Sequence, residues 1–437
     1  MLIAFSPLDA ARTQMAVSFI FHIFFVAFGI GLPAAMSIAE YRANRTGDPE
    51  WMALARTWAR GFAILFAVGA VSGTILSISL PLFWPRMMGR WGSLFGFPFM
   101  LEAFCFFLEA IFLGIYLYGW DRLSPWAHWW AGVAISASGL LASVFVMAAN
   151  GWMQTPVGFT VTSTGALTNV SPWRAIANPS LPYEATHMVF AAYMVMGFSL
   201  AAIYARRMRR DRRSTYARRG MAVGLVIGLA FTPLQILAGD RLAVQVARDQ
   251  PAKLAAMEGL WRTQTHAPET LGGIVLADRG ETVGGLHIPG LLSWLVTGHA
   301  DGKVRGLSSF APSDRPHDLN LVHLPFDIMV AIGLGLFGLA LWTLAAWWRR
   351  RRLPDGRRYL GVVMLSAPAA LVALECGWMV TEIGRQPWVV YNYMRTVDAA
   401  TTRTGIWLWL VAIVAVYLVL ASSTAWLLVR LARRASA

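Results

Sequence analysis

Charged residues make up only 14% of this 437-residue chain, against roughly 25% in soluble domains. That scarcity, beside a hydrophobic content of 57%, excludes an ordinary water-soluble globule and makes lipid the expected solvent. There are only two cysteines, Cys105 and Cys376. Both sit in apolar segments and neither belongs to a CxxC or CxxCH pattern, so disulfide, zinc and covalent c-type heme chemistry are excluded and both read as buried apolar side chains. The start of the chain lacks a basic stretch followed by a small-residue cleavage site, so the first apolar segment is expected to remain as a helix. Low-complexity runs and internal repeats are also missing.

What the chain has in abundance is apolar runs of about twenty residues, each long enough to cross a hydrocarbon layer about 30 Å thick. Nine are expected, at 16-40, 58-82, 94-120, 126-149, 184-206, 220-238, 321-348, 358-381 and 404-431. The fold class is therefore all-α: a single polytopic membrane domain over 1-437. The net charge of +14 would suggest nucleic acid on a soluble domain. Here it is mostly arginine in the connections: Arg42, Arg45 and Arg56, then Arg206 to Arg219, then Arg349 to Arg358, then Arg430, Arg433 and Arg434. With nine spans these groups share one side, which the positive-inside rule makes cytoplasmic. The N-terminus is then outside and the C-terminus inside. The outer connection 239-320 is longer than a passive link needs, and its Lys253–Glu258 helical pattern marks an ordered docking element.

An ionisable side chain at mid-membrane costs at least about 2.5 to 3.5 kcal/mol, so each one calls for a partner or a task. His22 lies in the first segment, Glu102 and Glu109 in the third, His187 in the fifth, Met329 in the seventh and Glu375 in the eighth. Imidazole, thioether and carboxylate are side chains that can ligate heme iron. The expected topology puts His22, Glu102, His187, Met329 and Glu375 in the outer half of the membrane, although a satisfied polar core residue is the alternative for each. Glu102 and Glu109 lie about 10 Å apart along one helix face, a spacing that suits proton transfer or, alternatively, hydrogen bonds to a neighbouring helix. His128 at a helix start, and His266, His287, His299, His317 and His323 in or beside the outer connection, read as solvated or interfacial.

These positions resemble subunit I of the cytochrome bd-type quinol oxidases over the full chain. The most specific stretch is Glu375-Cys376-Gly377-Trp378 followed by Gly384-Arg385-Gln386-Pro387-Trp388, which is similar to that family's Glu-x-Gly-Trp and Gly-Arg-Gln-Pro-Trp signature. Asn150-Gly151-Trp152-Met153-Gln154, Gly119-Trp120-Asp121-Arg122 and the two-glutamate, Phe-rich third segment add to it. The resemblance implies a terminal respiratory oxidase in the bacterial inner membrane. It would oxidise quinol, reduce dioxygen to water and generate proton motive force without pumping. By the same resemblance, His187 and Met329 hold a low-spin heme b, Glu375 a high-spin heme b, and His22 the heme at the oxygen site, either heme d or a third heme b. Trp378 and Arg385 would lie beside the cofactors, Glu102 and Glu109 on the proton path, and Lys253 and Glu258 in a quinol-oxidising segment.

A second subunit of similar fold and a small accessory subunit are the implied partners; nucleic acid is not. Two departures stand out. Asp327 occupies the place two before Met329 that is often arginine in the family, and an ionised, unpaired carboxylate there would oppose electron uptake. The outer connection is short, which resembles the short-loop branch and its cyanide-insensitive relatives. A heme-copper oxidase would need more intramembrane histidines. A proton-coupled transporter would use the carboxylates but typically shows repeats or broken helices, and it gives His22, His187 and Met329 no shared purpose.

Overall fold

The computed structural model describes residues 6–434. Among them, nine helices are long and apolar enough to cross a membrane. In chain order they are Pro7–Thr46, Pro49–Phe83, Pro85–Tyr118, Pro125–Gln154, Leu181–Arg210, Thr215–Asp249, Asn320–Arg350, Arg357–Gly384 and Trp407–Arg434, the first to ninth spans. Each expected segment has its helix, and nearly every end lies further out than the apolar run. Apolar composition stops at the lipid boundary, whereas a helix stops where its backbone is capped. The first four spans open on proline, whose missing N–H costs nothing at that position. Ser6, Asp48 and Ser124 accept the free amides of Asp9, Glu50 and Ala127, satisfying donors that would otherwise be left over.

In lipid the helices gain little from apolar burial against one another, so close packing has to come from small residues. The fifth and sixth spans show this most clearly. Gly220, Gly224 and Gly228 recur every fourth residue on one face of the sixth. A Cβ on Gly224 would lie 2.5 Å from the amide nitrogen of Ala201, and one on Gly197 would lie 2.4 Å from that of Gly228. Backbone therefore meets backbone, and the fifth span runs through the middle of the bundle. The first span packs on the second, the third on the fourth and the seventh on the eighth, while the ninth lies against the first two.

The sixth helix continues to Asp249, so residues 239–249 of the expected connection are helical. The rest is ordered. A short helix, Pro251–Met257, precedes two antiparallel pairs, Glu269–Leu271 with Leu286–Ile288 and Ile274–Leu276 with Glu281–Val283, and a second short helix, Leu291–Thr297. The seventh span anchors this cap. Asn320 brackets Val275, accepting from its N–H at 2.8 Å and donating to its carbonyl at 3.0 Å. Asp327 Oδ2 accepts from the Gly272 amide at 2.8 Å, and His323 Nδ1 lies 2.7 Å from the Met257 carbonyl.

Candidate redox and quinol site

Two cavities open between the spans. The smaller, about 140 Å³, is lined by His22, Glu102 and Glu109. The larger, about 380 Å³, runs from His187 and Met329 to Lys253, Glu258 and Glu269 under the cap. Met147, Met188 and Trp378 line both, so one apolar wall separates the two. Glu375, one helical turn before Trp378 on the eighth span, lies outside both linings, half-buried, with Oε2 buried and unpartnered.

His22 has a buried partner. Its Nδ1 lies 2.8 Å from Ser72 Oγ, and that hydroxyl is also placed to donate to the Gly69 carbonyl at 3.0 Å. A hydroxyl has a single proton to give; with that proton on the carbonyl, Nδ1 is the donor. The lone pair is left on Nε2, the arrangement that a metal-ligating imidazole takes from its second partner. Three of the four ligand candidates pack directly on a glycine of a neighbouring span, where any side chain would crowd them: a Cβ on Gly73 would lie 3.1 Å from His22 Cε1, one on Gly239 3.2 Å from His187 Cε1, and one on Gly377 3.1 Å from Met329 Sδ. The Gln235 amide sits 3.0 Å from His187 Nε2 while its own Oε1 is buried without a partner.

Glu109 packs against Gly139 of the fourth span, where a Cβ would come within 3.0 Å of Oε1. Seven residues further along the same face, Tyr116 donates to Glu40 Oε2 at 2.7 Å. His128 completes that cluster, with Nδ1 2.6 Å from Glu40 Oε1 and Nε2 2.8 Å from the Tyr116 carbonyl. The expectation of a solvated His128 is therefore corrected: it is 2% exposed, because Glu40 of the first span and the Trp120 ring close over the helix start. His323, also expected at an interface, is likewise fully buried beneath the cap, whereas His266, His287, His299 and His317 are exposed.

At the cap end, Lys253 is buried and donates to the Thr381 carbonyl at 3.3 Å. Burial lowers its pKa to about 8, although the carboxylates of Glu184 and Glu382 work the other way. Glu258 is pushed well above the usual carboxylic range by burial and by the Glu269 carboxyl beside it. Arg385 donates to Glu382 Oε2 at 2.6 Å, and Glu382 Oε1 accepts from Asn150 at 2.7 Å, which ties the two sequence signatures together. Nε and Nη1 of Arg385 have no partner. One oxygen of Asp327 has partners: Oδ2 accepts from the Gly272 amide and lies 3.4 Å from His323 Nε2, while Oδ1 is buried without one.

Sequence reasoning missed Ser72, Gln235, Glu269 and Glu184. Only Glu184 carried a local signal, since it stands three residues before His187 on one helix face. The unpartnered Glu375 oxygen and the cavities beside His22 and beside His187 and Met329 suit a large planar ligand held through iron. Lys253 and the unpartnered N–H groups of Arg385 suit its acidic substituents.

Comparison with known proteins agrees in extent. Residues 10–436 match the family model for cytochrome bd terminal oxidase subunit I. The chain is 33% identical over 426 residues to a putative cytochrome bd menaquinol oxidase subunit I of Bacillus subtilis, covering 96% of this chain and 95% of the relative. It is 28% identical over 465 residues to cytochrome bd-II ubiquinol oxidase subunit 1 of Escherichia coli, covering 91% and 90%. The solved bd oxidase of Geobacillus thermodenitrificans superposes with a TM-score of 0.92 at 34% identity, over 99% of both chains.

Proposed function

The chain belongs to the cytochrome bd terminal oxidase subunit I family, and on that premise we propose which of its residues hold the hemes, meet the quinol and carry the protons. Membership makes it a multi-pass subunit of a quinol:oxygen oxidoreductase in the bacterial inner membrane, with hemes as cofactors and subunit II as partner. A small accessory subunit is a further candidate partner.

In this reading His187 and Met329 would hold a low-spin heme b. Glu375 would hold a high-spin heme b, and His22 the heme at the oxygen site, heme d or a third heme b. Trp378 forms the wall between them, and Lys253 with Arg385 balances acidic groups at the cap end. The hemes, when bound, supply one-electron iron chemistry and the centre at which dioxygen is reduced. The protein supplies position and protons. Quinol enters the larger cavity beneath the cap, within the connection 239-320, where buried Lys253 and Glu258 face it.

The arginine-rich connections face the cytoplasm, so the cap end, the N-terminus and the quinol protons face outward. Protons for water come from the arginine-rich side through Glu109 and then Glu102, both on the wall of the smaller cavity. Protons and electrons thus approach from opposite sides, which separates charge without a pump. The observation that carries this reading is the pair of adjoining cavities with a common wall, one holding His22 and the glutamates and the other holding His187, Met329 and the cap residues. It is tested with His187→Ala in the purified complex: the low-spin heme b signal should vanish while high-spin signals persist. An unchanged low-spin band would refute that assignment.

A further inference from the structure

Glu269, the first residue of strand Glu269–Leu271, lines the larger cavity beside Glu258. They are 8% and 3% exposed. Each has an Oε2 that is buried without a hydrogen-bond partner, and burial together with the neighbouring Glu269 carboxyl holds Glu258 well above the usual carboxylic range. Ionised carboxylates only accept, so neither can satisfy the other unless one carries a proton. Two buried carboxyls this close cannot both ionise, and the pair therefore shares one.

We propose that Glu258 and Glu269 form a single proton-accepting pair at the quinol site, with Glu269 as its second member. This rests on reading the larger cavity as the place where quinol is oxidised. Oxidation to quinone breaks two O–H bonds and releases two electrons, which go on to dioxygen in the overall reaction. The pair in its one-proton form has one free acceptor oxygen. It takes the proton of the first quinol hydroxyl, becomes neutral, passes that proton outward through the cap and is restored for the second. Facing the pair are Lys253 on the short helix, Asp327 and His323 on the seventh span, Glu184 on the fifth and Asp240 on the sixth. The Asp327 carboxylate and the shared proton resist further ionisation. His323, its ring nitrogens 2.7 Å and 3.2 Å from the carbonyls of Met257 and Gly272, fixes the floor.

The test is the detergent-purified two-subunit complex, assayed for oxidation of a short-chain ubiquinol against pH, with heme content measured in parallel. Glu269→Gln should lower turnover about a hundredfold, the low end of what general base catalysis contributes. It should also shift the acid limb of the pH profile downward, because Glu258 loses its acidic neighbour. Glu258→Gln/Glu269→Gln together should be no worse than the weaker single variant, and Glu281→Gln, on the exposed hairpin edge, should match wild type. Unchanged turnover and pH profile in Glu269→Gln, with a quinol-active wild type, overturns the proposal alone. A heme-replete wild type that oxidises no quinol overturns the quinol reading and the proposal with it. Infrared difference spectra of the wild type with and without a quinone-site inhibitor give a readout independent of turnover and of variant folding. A protonated-carboxyl C=O band perturbed by the inhibitor supports the pair, and its absence overturns it.

Discussion

Replacing Ser72 with alanine removes one oxygen atom and tests how the oxygen-site heme is held. Ser72 is fully buried, and its hydroxyl is the hydrogen-bond partner of His22 Nδ1 and so orients the ring. A neutral hydrogen bond contributes about 0.5 to 1.5 kcal/mol, and loss of an outer partner of a metal-bound histidine weakens metal binding about 10- to 100-fold. The two ranges meet near 1.4 kcal/mol, about tenfold, and a neutral serine acceptor places the effect at that lower end. The assay is heme transfer from the purified complex to excess apomyoglobin, followed in the visible spectrum. In Ser72→Ala the His22-associated heme should leave about tenfold more readily, with the low-spin heme b unaffected. Ser79→Ala is the control, since Ser79 is equally buried but bonded only to its own helix at Ile75. Equal heme retention in Ser72→Ala and wild type, or an equal loss in Ser79→Ala, would refute the assignment.

Gly139→Val places side-chain atoms against the Glu109 carboxyl and should slow oxygen consumption while leaving heme content intact; an unchanged rate would remove Glu109 from the proton path. Lys253, with its pKa lowered to about 8 by burial, is charged below that pH and neutral above it. The apparent KM for quinol should therefore rise as pH passes through about 8, and Lys253→Arg should carry the low-KM range higher. For folding the sign is opposite: the buried cation costs stability below about 8, and that cost is relieved between about 8 and the ordinary 10.5. Glu40→Ala strands His128 and the Tyr116 hydroxyl in a buried site and should destabilise the complex by about 1 to 3 kcal/mol for each stranded group, read as a lowered unfolding temperature in detergent.

The nine spans were legible because lipid demands uninterrupted apolar runs, and few other structures satisfy that demand. Their ends were not, because Ser6-Pro7 and Asp48-Pro49 set helix starts by backbone capping rather than by hydropathy. The same reason hides the extension of the sixth helix to Asp249. His22, His187, Met329 and Glu375 were visible as polar or sulfur-bearing side chains in apolar surroundings. Which of them share a cavity was not, since that depends on helix contacts between residues far apart in sequence. Ser72 illustrates the limit: a serine within a helix is unremarkable until the third dimension puts it 2.8 Å from an imidazole. His128 was misread because its place at a helix start says nothing about Glu40, eighty-eight residues away, closing over it.

The most direct test of heme-based quinol oxidation by this chain is a dithionite-reduced minus air-oxidised visible spectrum of the purified complex, with pyridine extraction to count and type the hemes. The expected result is three hemes, with low-spin and high-spin b bands and a third band that is either b-type or red-shifted as heme d. A folded complex from heme-sufficient cells that carries no heme would contradict the assignment and leave His22, His187, Met329 and Glu375 as packing residues.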